Sequence, residues 1–258
     1  MHRVDFSGNA PLYDRRHGAL LPDNVALALT RNLAPSSRIL DIGAGTGRVS
    51  VTIAQLGFHV IAIEPALPML QNLRAKAGAI PLQCVAADGT ALPLRDHIAE
   101  AAVLARLLYL VPNWRTLLDA VASVVTKHGL IIHEWGNGTM NEEWVVIREK
   151  ARSLFEGVGV RPAFHPGART ETEVDEHLKG LGFTRVERVP AGPGPMMSIS
   201  EFLAKIESGE VSYIWSVPEA ARDACLPRLR AWAEEQFDVG RSTPMPAILE
   251  WSVFRRSG

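Results

Sequence analysis

The chain has 258 residues, 47% hydrophobic and 21% charged, with a formal net charge of -1. This is an ordinary globular composition, long enough to bury a sizeable core, and it holds no charge excess to attract nucleic acid or an anionic membrane. The first thirteen residues have no apolar core of signal-peptide type, and no run reaches the ~18 apolar residues of a membrane span. A cytoplasmic protein acting on a small molecule is the expectation. Cys84 and Cys225 lie in no metal-like or CxxC spacing, and read as reduced thiols.

In chain order, Arg38–Ile42 is a short apolar run of strand length, and residues 46–56 follow as a helix closed by Gly57 in the place of a left-handed cap. His59–Ile63 is the next strand. Residues 66–77 form a helix with Leu67, Leu70 and Leu73 on one face and Gly78 beyond its end. Strands are expected over 81–86, 101–105 and 129–135, with a helix over 113–125 that carries Trp114, Leu117, Leu118 and Val121 on one stripe. Strand and helix alternating at this spacing imply parallel strands joined by right-handed crossovers. The fold class is α/β, a doubly wound and mostly parallel sheet, whose ligands bind at the carboxyl ends of the strands.

The second half is richer in helix. Thr139 with Glu142, Thr170 with Glu173, Ser198 with Glu201 and Ser216 with Glu219 have the spacing of capping boxes. Trp144, Ile147, Ala151, Leu154 and Phe155 share one helical face, as do Cys225, Leu229, Trp232 and Phe237 on a later helix; such stripes read as core. Residues 183–189 and 248–254 look like two late strands. The stretch between them is too long for a hairpin loop. The whole chain, 1–258, is therefore expected to be one domain, with 191–243 a helical insertion placed as a cap or lid.

The most informative segment is LDIGAGTGR, residues 40–48. It leaves an apolar strand and opens a helix, with Gly43, Gly45 and Gly47 letting the backbone approach a ligand. The dinucleotide fingerprint is GxGxxG and needs a later third glycine; position 48 is Arg48. A P-loop would require Gly-Lys-Ser/Thr, which does not follow. Acids stand at two further strand ends, Glu64 after the second strand and Asp88 within AADGTALPL. A carboxylate has two oxygens able to accept a bidentate pair.

From Leu40 to Trp135 this order of motifs resembles the class I S-adenosylmethionine-dependent methyltransferases, in particular the small-molecule, type 11-like members. The resemblance implies a seven-stranded sheet and S-adenosylmethionine as cofactor, with S-adenosylhomocysteine as product. It implies that the cofactor is bound by Asp41, Gly43, Ala44, Gly45 and Gly47 of the first motif. Glu64 would hold the ribose hydroxyls, Pro65 and Met69 would line the adenine, and Asp88 with the Gly89 N–H would meet the adenine edge. It further implies that the Arg106 carbonyl meets the methionine amino group and that Tyr13, in YDRRHG, covers the methionine end; Tyr13 reads equally as a structural aromatic. One departure is Glu100, where the family often has Asp; it leaves the adenosine contacts intact.

Methyl transfer from a sulfonium is an in-line displacement, served mainly by alignment and exclusion of water. A base is needed only where the acceptor must lose a proton early. His133 and Tyr13 are the catalytic candidates. In IIHEWG, period two sets His133 and Trp135 on one face and Glu134 on the other. His133 is either a base or a packed histidine, and Trp135 either a pocket wall or core. Tyr109, His165, Tyr213 and Trp215 are further pocket candidates, and His17 another. The segment ARLLYL lacks the Asn/Asp-Pro-Pro-Tyr/Phe loop of relatives that methylate nucleobase or glutamine amino groups, and no carboxylate cluster suggests a metal. The expected partner is a small-molecule acceptor, with neither nucleic acid nor membrane. Two rival readings stay open: a non-catalytic protein that binds the cofactor or its product, and an NAD-dependent oxidoreductase.

Overall fold

Buried apolar residues alternate from one face to the other along the central strands, so that both faces of the sheet must be covered. The computed structural model describes residues 8, 14, 19–135, 141–162, 166–192, 194–211, 214–245 and 249–257. The strands are β1 (Arg38–Ile42), β2 (His59–Ile63), β3 (Gln83–Val85), β4 (Ala99–Ala105), β5 (Val125–Glu134), β6 (Phe183–Gly192), β7 (Met196–Ser198), β8 (Ser242–Pro244) and β9 (Leu249–Arg256). Seven of them form one sheet in the order β3-β2-β1-β4-β5-β9-β6, the expected doubly wound arrangement. β1 to β5 pair in parallel where they adjoin, and β9 enters antiparallel to β5. Strand order reverses between β1 and β4, which makes their carboxyl ends the natural ligand crevice.

The helices are α1 (Asp23–Thr30), α2 (Ser50–Gln55), α3 (Leu67–Ala77), α4 (Trp114–Val124), α5 (Glu142–Gly157), α6 (Glu171–Gly180), α7 (Ile199–Glu207) and α8 (Glu219–Gln236). On one face Ile39, Val60, Val103 and Ile132 pack with Val25 and Leu29 of α1 and Ile53 of α2. On the other, Leu40, Ile42, Leu104 and Ile131 pack with Leu117 and Val121 of α4 and Val174 and Leu178 of α6. Glu100 lies at the far, amino end of the strands, where its carboxylate accepts the Arg38 N–H at 2.7 Å. This residue therefore acts on sheet pairing, away from the loops at the carboxyl ends of the strands.

Two sequence expectations are corrected at helix starts. The helix after the glycine loop begins at Ser50 rather than at position 46, because Gly47 has φ +89 and cannot lie within a right-handed helix. Of the capping boxes, Ser198 with Glu201 is complete in both directions. The Thr170 hydroxyl accepts the Glu173 N–H, but Glu173 turns to the Arg169 N–H instead. α5 starts after Asn141 and α8 after Pro218, so Glu142 and Glu219 stand one residue into their helices, not three. Thr139 lies outside the described residues.

The chain divides into two compact units. One contains the seven-stranded sheet and its helices. The other contains α5, α7, α8 and the β7–β8 pair, around a core of Trp144, Phe155, Phe202, Leu203, Cys225 and Leu229. Trp144 meets Phe202 edge-on at 4.8 Å. α5 comes from the connection between β5 and α6, so this second core draws on more chain than residues 191–243. Among the described residues no helix is long and apolar enough to cross a membrane.

Candidate functional site

β1 ends at Ile42, and the chain turns at once. The Gly43 and Ala44 N–H groups donate to the Ile63 carbonyl at the end of β2, at 2.8 and 3.0 Å. A Cβ on Gly43 would stand 2.7 Å from Leu107, and one on Gly47 2.7 Å from Leu73. Both residues have positive φ. The loop is a backbone cradle whose glycines are closely backed by leucine side chains, so neither position admits a Cβ.

Glu64 closes this cradle from β2. It is 9% exposed, and its two oxygens accept the Gly45 N–H at 3.1 Å and the Ala66 N–H at 2.9 Å. Burial raises its pKa, against the lowering effect of those two backbone donors. Each oxygen keeps a second acceptor direction, which suits a vicinal pair of hydroxyls. Pro65 beside it is exposed, whereas Met69 is buried and donates its N–H to the Ala66 carbonyl.

Asp41 supports the loop from beneath. It is buried, accepts the Ser50 hydroxyl at 2.5 Å, and has a pKa pushed up to about 6, chiefly by burial. Asp88 is exposed; its Oδ1 takes the N–H and hydroxyl of Thr90 at 2.9 and 2.8 Å. Gly89 runs close to the end of β1, since a Cβ there would lie 3.1 Å from Ile42. The cradle, Glu64 and the Asp88 turn thus all belong to the carboxyl end of β1 to β3.

After β4, Arg106 adopts the left-handed conformation, φ 54, and donates its N–H to the Glu134 carbonyl at 3.0 Å. The Glu134 side chain has no exposure and pairs with Arg48 at 2.7 Å and Arg106 at 3.2 Å. Period two had set Glu134 opposite His133 without giving it a role. An acid ending a strand whose neighbours are buried was the signal available for it.

On the other face Tyr109, Trp135 and His133 form an edge-on aromatic series, with ring centroids 6.1 and 5.9 Å apart. The Tyr109 and Leu108 carbonyls accept N–H groups of Gly167 and Ala168, which fixes this loop. His133 is 1% exposed, and neither ring nitrogen has a hydrogen-bond partner among the described residues. Its pKa is pushed down to about 4, first by burial, with Glu171 opposing and Arg185 and Arg188 adding to the shift. It is a neutral, packed imidazole, and its enclosure argues against proton exchange with an acceptor.

Trp215 belongs to the other unit, packs at the edge of that core and donates Nε1–H to the Gly209 carbonyl at 2.7 Å. Tyr13, His17, His165 and Tyr213 lie outside the described residues. Among the described residues no group of three or more His, Cys, Asp or Glu is arranged to hold a metal ion.

The family model for a methyltransferase domain matches residues 40–133, the stretch that runs from the glycine loop to the end of β5. An uncharacterized methyltransferase of Mycobacterium tuberculosis is 31% identical over 144 residues, 55% of this chain and 56% of that protein. The demethylmenaquinone methyltransferase of Clavibacter sepedonicus is 36% identical over 126 residues, 46% of this chain and 51% of that protein. The matched region thus spans about half the length of these relatives. Among solved structures, a protein from Anabaena variabilis described as a methyltransferase from an antibiotic biosynthesis pathway superposes with a TM-score of 0.64 at 16% identity, over 92% of this chain and 98% of that one. The region that matches the methyltransferase domain model, the strand order and the cradle with its acid all lie in the sheet-forming unit, so the likeness to class I methyltransferases rests on residues 40–133.

Proposed function

We propose that this chain transfers a methyl group from S-adenosylmethionine to a small organic acceptor and releases S-adenosylhomocysteine. The observation that carries the reading is Glu64, a buried carboxylate whose two oxygens are fixed by backbone N–H groups, Gly45 in the glycine loop and Ala66 in the turn after β2. This is how a carboxylate is held to accept a pair of ribose hydroxyls, and the missing third glycine speaks against a dinucleotide.

The residues present fit that cofactor. The glycine loop would bring its backbone to the ligand, Glu64 would take the ribose, and the Asp88–Gly89 turn would meet the adenine. The Arg106 carbonyl, just past β4, would take the methionine amino group. When bound, the sulfonium supplies an activated methyl: the acceptor's lone pair forms the new bond as the carbon–sulfur bond breaks, and the pair stays on sulfur. The protein aligns the two partners and keeps water out, effects of the kind worth several kcal/mol of barrier. Tyr109 and Trp135 form an aromatic wall past the ends of β4 and β5 that suits a flat or apolar acceptor. His133 takes no part as a base. The protein is proposed to work in the cytoplasm.

Glu64→Ala tests the reading: affinity for S-adenosylmethionine should fall at least tenfold, about 1.4 kcal/mol or more. Unchanged affinity would contradict the ribose contact. Acceptor-dependent formation of S-adenosylhomocysteine, across a panel that includes demethylmenaquinone, separates an enzyme from a protein that only binds the cofactor.

A further inference from the structure

Glu134 is a buried acid at the carboxyl end of a central strand that the proposed cofactor contacts leave without a task. Its carboxylate is fully buried, yet both partners come from segments placed around the cofactor. Arg48 directly follows Gly47 and reaches Glu134 with two nitrogens, Nη1 to Oε2 at 2.7 Å and Nη2 to Oε1 at 3.3 Å. Arg106 follows β4 and makes the looser ion pair, Nε to Oε2 at 3.2 Å. Arg106 is also tied through its backbone, N–H to the Glu134 carbonyl at 3.0 Å. The same residue holds a left-handed φ of 54, uncommon outside glycine. The Arg48 carbonyl in turn accepts the Leu21 N–H at 2.9 Å, so the clamp also anchors the segment that leads into α1.

A lone buried carboxylate is costly unless paired. Here one carboxylate joins two guanidiniums that would otherwise repel each other. We infer that Glu134 is a positioning residue: by clamping Arg48 and Arg106 it sets the distance between the glycine cradle and the backbone after β4, and so shapes the part of the site that takes the methionine half of S-adenosylmethionine. This rests on the cofactor reading proposed above. Glu64, bonded to Gly45 and Ala66, and Asp88, bonded to Thr90, belong to the part of the site proposed for the adenosine half.

The test uses two ligands that differ in the methionine portion. S-adenosylhomocysteine carries the whole amino acid, and 5′-methylthioadenosine lacks its amino and carboxylate groups. Binding of each is measured by calorimetry for wild type, Glu134→Gln and Arg106→Gly. Glutamine keeps the size of the side chain without its charge. Glycine accepts the positive φ, so Arg106→Gly keeps the turn and removes one arm of the clamp, and it decides the matter if Glu134→Gln does not fold. The expected result in both variants is a loss of about tenfold or more for S-adenosylhomocysteine, with 5′-methylthioadenosine within about twofold of wild type. A parallel loss for both ligands, or no loss for either, overturns the clamp while wild-type binding keeps the cofactor reading intact. Failure of the wild type to bind either ligand overturns both.

Discussion

Two buried titratable side chains pull stability in opposite directions as pH changes. Asp41 is raised from 3.8 to about 6 by burial. A raised carboxyl pKa favours the protonated acid in the folded state, so its contribution is complete below pH 3.8 and is lost as pH rises through about 6. Asp41→Asn keeps an acceptor for Ser50 and should be more stable than wild type at pH 7, by up to about 3 kcal/mol. That gain should vanish near pH 4 in urea denaturation; an equal difference at both pH values would contradict the assignment. His133 behaves inversely. Its pKa is lowered from 6.5 to about 4 by burial, so its stabilising contribution is present above pH 6.5 and is lost as pH falls through about 4. His133→Phe should remove roughly 3 kcal/mol of that acid sensitivity. It should also leave turnover measurable at neutral pH, as a packed histidine allows; abolished turnover in a folded variant would restore His133 as a base.

At the scale of elements, the glycine loop and the complete Ser198–Glu201 capping box make distinct predictions. Gly47→Ala sets a Cβ 2.7 Å from Leu73 in a backbone of φ +89. It should destabilise by about 1–3 kcal/mol and weaken cofactor binding along with stability. Ser198→Ala removes the cap of α7 and should lower stability by about 1 kcal/mol, read by thermal melting, without touching cofactor affinity. The strands were legible where apolar runs were bounded by turns: Arg38–Ile42 and His59–Ile63 fall where the sequence sets them. Helix starts were less so. Side-chain spacing does not show that Gly47 must take positive φ, nor that Pro218 will start α8 in place of Ser216. Glu64 was legible because it ends a strand beside a glycine loop. The Arg48–Glu134–Arg106 clamp was not, because its members come together only through the pairing of β4 with both β1 and β5.

For the molecule as a whole, the two units hold separate cores, and the proposed cofactor contacts fall in the sheet-forming one. Saturating S-adenosylhomocysteine at 100 times its Kd should stabilise the native state by about 2.7 kcal/mol. Protection from hydrogen exchange should concentrate at residues 41–48, 64–70, 88–90 and 105–109. Protection confined to the helical unit would contradict this placement. The sequence leaves the acceptor's identity open because aligning groups, unlike a metal or a triad, have no fixed motif.

The most direct measurement is calorimetric titration of the purified protein, freed of carried-over ligand, with S-adenosylmethionine, S-adenosylhomocysteine and NAD in parallel. Saturable binding of the two sulfur compounds and none of NAD is the predicted result. Binding of NAD alone would contradict the account and return the glycine loop to the dinucleotide-binding enzymes.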